Sequence, residues 1–190
     1  MTLRPWTFAD VPGIAAACAD AEIARWLDQI PQPYTDRDAH EYVAGSRRGW
    51  RHAESSNFGI RDAEADSLLG AIGIRWVDPE DGVGEVGYWT APAARGRGVA
   101  TRALCLVARW ALTDVGAQRL QLRADDLNEP SKRVAENAGF RREGVLRSIH
   151  YNARQDRRVD FVMYSLLPEE LGAEESAGAG RSGRREHSRG

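Results

Sequence analysis

The sequence predicts an α+β fold: a mixed, mainly antiparallel central sheet of about six to seven strands flanked by helices. Three observations carry that expectation. Segments rich in β-branched and aromatic residues at 58–61, 68–76 and 83–89 follow one another across acidic turns at 62–66 and 78–82, the pattern of an antiparallel meander. From residue 83 to residue 138 the pattern then alternates strand, helix, strand and helix, as parallel pairing requires. Two further strand patterns, 144–151 and 159–166, close the fold around a polar turn at 152–158.

The elements follow in order. Leu3-Arg4-Pro5-Trp6 reads as a first strand, after which Asp10 is placed as the N-cap of a helix with Pro12 in its first turn, running to about Ala21. A second helical stretch covers Ile23 to Leu27, and the Pro-rich segment 29–33 ends it. Thr35-x-x-Asp38 opens an amphipathic helix to about Trp50. After the meander, the helix Thr101 to Val115, the strand Leu120 to Arg123 and the short helix Ser131 to Ala138, capped by Gly139, complete the alternating unit. From Pro168 the composition shifts to Glu, Gly, Ser, Ala and Arg without an apolar period. The domain is therefore expected to span residues 1–167, with 168–190 a disordered tail.

Composition excludes several classes. A chain of 190 residues suits one domain with a full core, and a net charge of -2 lacks the broad positive field of a general nucleic-acid binder. No direct nucleic-acid binding is expected. Met1 to Gly13 contains no apolar signal core, and the apolar run from Ala103 to Ala108 is too short to cross a bilayer, so no membrane association and a cytoplasmic location are expected. Cys18 and Cys105 read as reduced, buried small hydrophobes, and no Cys or His spacing suggests a metal.

The run Pro92-Ala93-Ala94-Arg95-Gly96-Arg97-Gly98-Val99-Ala100-Thr101 carries the most chemistry, because a strand pattern stops just before it and a helix starts inside it. Glycines at a helix N-terminus expose unpaired N–H groups and the positive end of the macrodipole, and let a phosphate oxygen approach without a Cβ in the way. A plain tight turn explains the same glycines. The run lacks both the Lys-Ser/Thr ending of a P-loop and the GxGxxG spacing of a dinucleotide fold. Arg95-x-x-Gly98-x-Ala100 instead resembles the Gln/Arg-x-x-Gly-x-Gly/Ala motif of acetyl-coenzyme A sites in the GNAT superfamily of N-acetyltransferases.

The resemblance covers about residues 2 to 167 and is nearest to the RimJ/RimL-like branch. Leu3-Arg4-Pro5 with Asp10, Gly84-Glu85-Val86-Gly87-Tyr88-Trp89, Asn128-x-x-Ser131, Gly139-Phe140-x-x-Glu143-Gly144 and Asp160 to Leu167 resemble that branch's motifs in their order. It implies the GNAT fold, with the strands ending at Trp89 and beginning near Leu120 splayed apart. Pantetheine would pair with the backbone near Tyr88, Trp89 and Thr90, and the pyrophosphate would lie on residues Arg95, Gly96, Arg97, Gly98, Val99, Ala100 and Thr101. Asn128 and Ser131 would also touch the cofactor, acetyl-CoA. Without the resemblance, Asn128 reads equally as a turn residue before Pro130.

Acetyl transfer by direct attack within a ternary complex needs a neutral amine, a group to accept its proton and a donor for the departing sulfur. Glu85 is one candidate base, and an outward charge on an alternating strand is the alternative. His150 falls, by its spacing from Gly139-Phe140, where some members of the branch place a glutamate, and histidine titrates near neutrality; packing beside Tyr151 explains it as well. The tyrosine acid of many GNAT enzymes is replaced here by Ala135, and the branch points to Ser131 instead, which is also placed to start a helix. Trp26 and Tyr34 precede the sheet, where members of the superfamily wall the acceptor site. The leading acceptor is a protein N-terminal amine. A small amine such as an antibiotic, polyamine or amino acid is the alternative, as is a non-catalytic acyl-CoA-binding module. Edge strands leave room for a homodimer.

Overall fold

In the computed structural model, which describes residues 1–171, seven strands form one sheet in the order β1-β2-β3-β4-β5-β7-β6. β1 (Thr2–Pro5), β2 (Ser55–Arg61), β3 (Leu68–Asp78) and β4 (Val83–Thr90) pair antiparallel as the expected meander. β3 is apolar or small from Leu68 to Ile74 because both of its faces are covered: Ile72 and Ile74 pack on one side and Ala71 on the other. β5 (Arg119–Asp125) runs parallel to β4 but pairs with it only at Val83, Gly84 and Glu85, opposite Arg119, Leu120 and Gln121; beyond Glu85 the two strands part. β7 (Arg157–Leu166) and β6 (Arg141–Asn152) complete the sheet antiparallel, with β6 bulged at Arg142/Gly144 and Leu146/His150. The mixed, mainly antiparallel α+β sheet read from the sequence is the observed one.

Helices α1 (Val11–Cys18), α2 (Ala21–Trp26) and α3 (Asp36–Arg51) lie on one side, where Trp6, Ile14, Cys18, Ala39 and Val43 pack against Ala71. On the other, α4 (Val99–Trp110) and α5 (Glu129–Asn137) bury Val99, Leu104, Val107 and Ala135 against Ile72, Ile74, Val86 and Leu120. α3 begins where its signal stands: Thr35 N–H donates to Asp38 Oδ2 at 2.8 Å, and the Thr35 side chain accepts from the Asp38 backbone.

Several details correct the sequence reading. Asp10 makes no side-chain cap on α1, because its carboxylate is taken by Arg4 Nη1 and Nη2 at 2.9 and 2.8 Å and by Thr7 N–H at 2.9 Å across a 3-10 turn, Phe8–Asp10. α1 stops at Cys18, since Asp20 leaves the helix and caps α2 instead. α4 starts at Val99, two residues before the expected Thr101, and a π-helical turn, Ala111–Val115, replaces its end. Cys105 is exposed on α4, whereas Cys18 is buried as expected. After β7 a 3-10 turn, Pro168–Glu170, occupies the start of the segment expected as tail; Glu170 Oε2 accepts from Leu167 N–H at 3.0 Å and Oε1 pairs with Arg141 at 2.9 Å. The rest of the expected tail, 172–190, lies outside the described residues.

The far edge of the sheet is stapled by charge. Glu143 on β6 accepts from Arg119 on β5 at 2.7 and 2.6 Å and from Ser165 on the intervening β7 at 2.7 Å. The Arg119 guanidinium and the Ser165 hydroxyl hold this carboxyl at about 2, below its ordinary 4.5. A depressed folded-state value stabilises above the unfolded value and is lost as the pH falls from 4.5 through about 2. Because the Glu143 side chain is 41% exposed, screening reduces the contribution to about 1 kcal/mol. Glu143→Gln is therefore expected to flatten the fall in stability across that acid range, read by denaturant unfolding at stepped pH.

Candidate active site

Where β4 and β5 part, a cavity of about 1040 Å³ opens between them. Residues 86–90 of β4 have lost their partner on that side, so the strand presents backbone donors and acceptors to the cavity. The opposite wall is Leu122 to Asp125 of β5 with Asn128 and Ser131 at the start of α5. The loop 94–101 closes one end; Trp26 at the end of α2, Asp28 just beyond it, and His150 of β6 border it as well.

The loop has the backbone geometry that accommodates an anion. Gly96 and Gly98 sit in the left-handed region at φ +70° and +67°, a conformation that costs glycine nothing. Gly98 is the N-cap of α4, and its carbonyl accepts the first helical bond, from Arg102 N–H at 3.1 Å. The N–H groups of Val99, Ala100 and Thr101 therefore have no acceptor within the helix. A Cβ on Gly96 would meet nothing within 4 Å; on Gly98 it would come within 3.0 Å of Arg102 Nη1. Such a cradle, at the positive end of a twelve-residue helix, fits a pyrophosphate. The side chains contribute less than their number suggests. Arg95 is ion-paired with Asp20, and Arg97, whose carbonyl accepts from Arg102 Nη1 at 2.9 Å, does not line the cavity.

Tyr88, Trp89 and Thr90 line the cavity. The Tyr88 hydroxyl lies 2.9 Å from Ser131 Oγ and 3.2 Å from the Ser131 carbonyl, and burial pushes its pKa up to about 12. Two hydroxyls from opposite sides of the parted strands thus meet. Asn128 does cap α5: its Oδ1 accepts from Ser131 N–H at 3.1 Å, while its Nδ2 donates to no protein group among the described residues. The turn reading of Asn128 is realised without closing its amide to a ligand.

The two candidate bases differ sharply. Glu85 accepts from Arg123 at 2.7 Å, Arg75 at 3.1 Å and Gln121 at 3.2 Å. Burial alone would raise its pKa, but the hydrogen bonds and the charge of Arg123, aided by Arg75 and Gln121, leave it below the usual carboxylate value. That environment favours the ionised carboxylate, whereas a base poised near neutral pH needs a raised value. His150 Nε2 lies 2.9 Å from Asp28 Oδ2, with the imidazole stacked on Phe161 at 6.0 Å. An imidazole oriented by a carboxylate is a proton-transfer arrangement.

On the other side of β4 lies a second cavity, of about 450 Å³, lined by Ile30, Tyr34, Tyr42, Gly73, Asp38 and Glu41, and sharing Arg75, Glu85, Gly87 and Trp89 with the first. The two expected acceptor residues are therefore divided: Trp26 borders the larger cavity, its Nε1 donating to Glu22 at 2.7 Å, and Tyr34 the smaller. Two cavities that adjoin along one strand can present two reactants to each other. Sequence reasoning missed Asp28, the Tyr88 hydroxyl and the opening at Gly87. Asp28 and His150 are 122 residues apart with no spacing to link them, whereas a glycine inside a strand is a readable sign of close approach. Among the described residues no His, Cys, Asp and Glu cluster could hold a metal ion, and no helix is long and apolar enough to cross a membrane.

Comparison with known proteins points the same way. A family profile described as an acetyltransferase (GNAT) domain matches residues 1–141. The N-acetyltransferase p20 of Bacillus licheniformis is 26% identical over 171 residues, spanning 90% of this chain and 94% of that protein. Among solved structures, the ribosomal-protein-S5-alanine acetyltransferase of Vibrio fischeri superposes with a TM-score of 0.79 at 19% identity, covering 88% of this chain and 92% of that one. The spermidine N-acetyltransferase of Vibrio cholerae, in complex with CoA and spermine, superposes with a TM-score of 0.76 at 19% identity, covering 89% and 96%. At these identities the structural likeness is one of fold.

Proposed function

The chain belongs to the GNAT family and is an N-acetyltransferase, and from that premise we propose that it moves an acetyl group from acetyl-CoA to the α-amino group of a protein N-terminus, as a RimJ/RimL-like enzyme. The observation that carries the cofactor reading is the parting of β4 from β5 beyond Glu85 beside a glycine cradle at the start of α4. Acetyl-CoA supplies the activated acetyl group. The freed backbone of residues 86–90 and the Asn128 amide would hold the pantetheine arm, and the N–H groups after Gly98 would hold the pyrophosphate. Trp89 and Thr90 border that path.

His150 takes the proton from the attacking amine. With Nε2–H donating to Asp28, Nδ1 presents its lone pair, and Asp28 stabilises the imidazolium that forms. Ser131, held by Tyr88, is the hydroxyl donor toward the departing sulfur. Glu85 pairs with Arg75, which borders both cavities, and with Arg123, which borders the larger. The acceptor enters through the smaller cavity, beneath Tyr34, while Trp26 flanks the larger. Exposed Val145, Leu146, Ile149 and Tyr151 on the edge strand β6 suit a homodimer.

A small cationic amine is the second reading, favoured by Asp38 and Glu41 on the wall of the smaller cavity. Thiol release with peptides bearing free Ala, Ser or Met N-termini, run beside spermidine and spermine, separates the two. Turnover is expected on peptide α-amines; turnover confined to polyamines would reject the protein acceptor.

A further inference from the structure

Helix α2 is six residues long and buries only Ile23 and Ala24. Polar side chains from two distant parts of the chain hold it. At its start, Asp20 accepts from Ile23 N–H at 3.0 Å and pairs with the Arg95 guanidinium. At its end, carbonyls that no helical N–H can reach are taken up by the β6–β7 turn. Arg154 Nη1 donates to Ala24 O at 3.0 Å and Leu27 O at 3.2 Å, and Nη2 to Ile30 O. Asn152 and Gln155 both donate to Arg25 O, at 3.2 and 2.9 Å. Asp28, the partner of His150, stands between the two carbonyls, Leu27 and Ile30, that Arg154 grips.

The two ends differ in what they are fastened to. Arg154 belongs to the turn that joins β6 to β7 and is closed by the pairs His150–Val159, Tyr151–Arg158 and Asn152–Arg157, a support within the sheet. Arg95 immediately precedes Gly96, and its guanidinium reaches Asp20, the N-cap of α2. We infer that Arg95 is a positioning residue: through Asp20 it fastens α2 to the loop 96–98, so that a ligand fixing the loop also fixes the wall carrying Trp26 and Asp28. The inference rests on the acetyl-CoA reading above, because the pyrophosphate is what would fix the loop. Arg95 is 38% exposed and Asp20 22%, so the link is a severalfold effect and not a lock.

Hydrogen exchange of the full chain with and without acetyl-CoA tests this. In the wild type, acetyl-CoA is expected to slow the amides of residues 99–101 and those of 21–27. In Arg95→Gln the loop amides stay slowed, while the ligand-induced protection of 21–27 falls about threefold. Asp20→Asn is expected to behave alike, since asparagine caps a helix as well as aspartate does and so keeps the bond to Ile23. Acetyl-CoA affinity should move by no more than about twofold in either variant. Unchanged protection of 21–27 in both variants would overturn the inference. So would an affinity loss of about tenfold or more in Arg95→Gln, which would make Arg95 a phosphate ligand. Slowing at 99–101 without any at 21–27 in the wild type removes the coupling alone, whereas no slowing at either removes the acetyl-CoA reading and the coupling with it.

Discussion

A leucine at Gly87 is expected to lower kcat/KM for acetyl transfer by about a hundredfold or more, a larger loss than any in acetyl-CoA affinity. Side chains alternate along β4. Val86 is buried toward α4 and Tyr88 reaches Ser131, so position 87 faces the opposite side with Glu85 and Trp89. Gly87 is exposed and a Cβ there would meet nothing within 4 Å, so the backbone tolerates the change and the added atoms enter the space where the cavities adjoin. Its partner across the ladder, Gly73, is no equivalent probe: a Cβ there would fall 2.0 Å from Asn57 Oδ1 and strain the sheet itself. Thermal unfolding, calorimetry and steady-state assay of Gly87→Leu separate folding, cofactor and acceptor effects. Full activity would move the acceptor away from this cavity.

His150→Gln is expected to reduce kcat by about 10²- to 10⁴-fold, and Asp28→Asn by about tenfold, with acetyl-CoA binding retained in both. A general base works in its deprotonated form, so wild-type kcat/KM rises with pH, and the limb belonging to the base should vanish in His150→Gln. Glu85 is held below the usual carboxylate range, with Arg123 the largest influence opposing its burial, so it stays ionised through neutral pH and supplies no limb there. Loss of the limb in Glu85→Gln, with His150→Gln unaffected, would return the base to Glu85.

The sequence made the frame legible because the frame is written locally. Alternation and acidic turns mark the meander, and Thr35 with Asp38 marks the start of α3. The cradle was legible for the same reason: two glycines followed by apolar residues at helical spacing are a local statement about a helix N-terminus. What stayed hidden depends on long-range side-chain competition. Asp10 is an ordinary cap in sequence, yet Arg4 outcompetes the helix for its carboxylate. Arg95 carries the motif, but Asp20, 75 residues earlier, decides where its guanidinium goes. Glu85 looks like any strand carboxylate until Arg123 is seen beside it, and His150 acquires meaning only when the β6–β7 turn carries it to Asp28.

The most direct test of the account is calorimetric titration of acetyl-CoA into the full chain and into Gly96→Asp. At Gly96 a Cβ meets nothing within 4 Å, and aspartate is among the residues that visit a positive φ, so the variant adds a carboxylate to the cradle at the cost of local backbone strain, which thermal unfolding of the variant measures separately. Stoichiometric binding to the wild type, weakened by about a hundredfold or more in the variant through like-charge contact, is the expected result. Equal affinity in the two proteins, or no binding to the wild type, would contradict a pyrophosphate site at the start of α4.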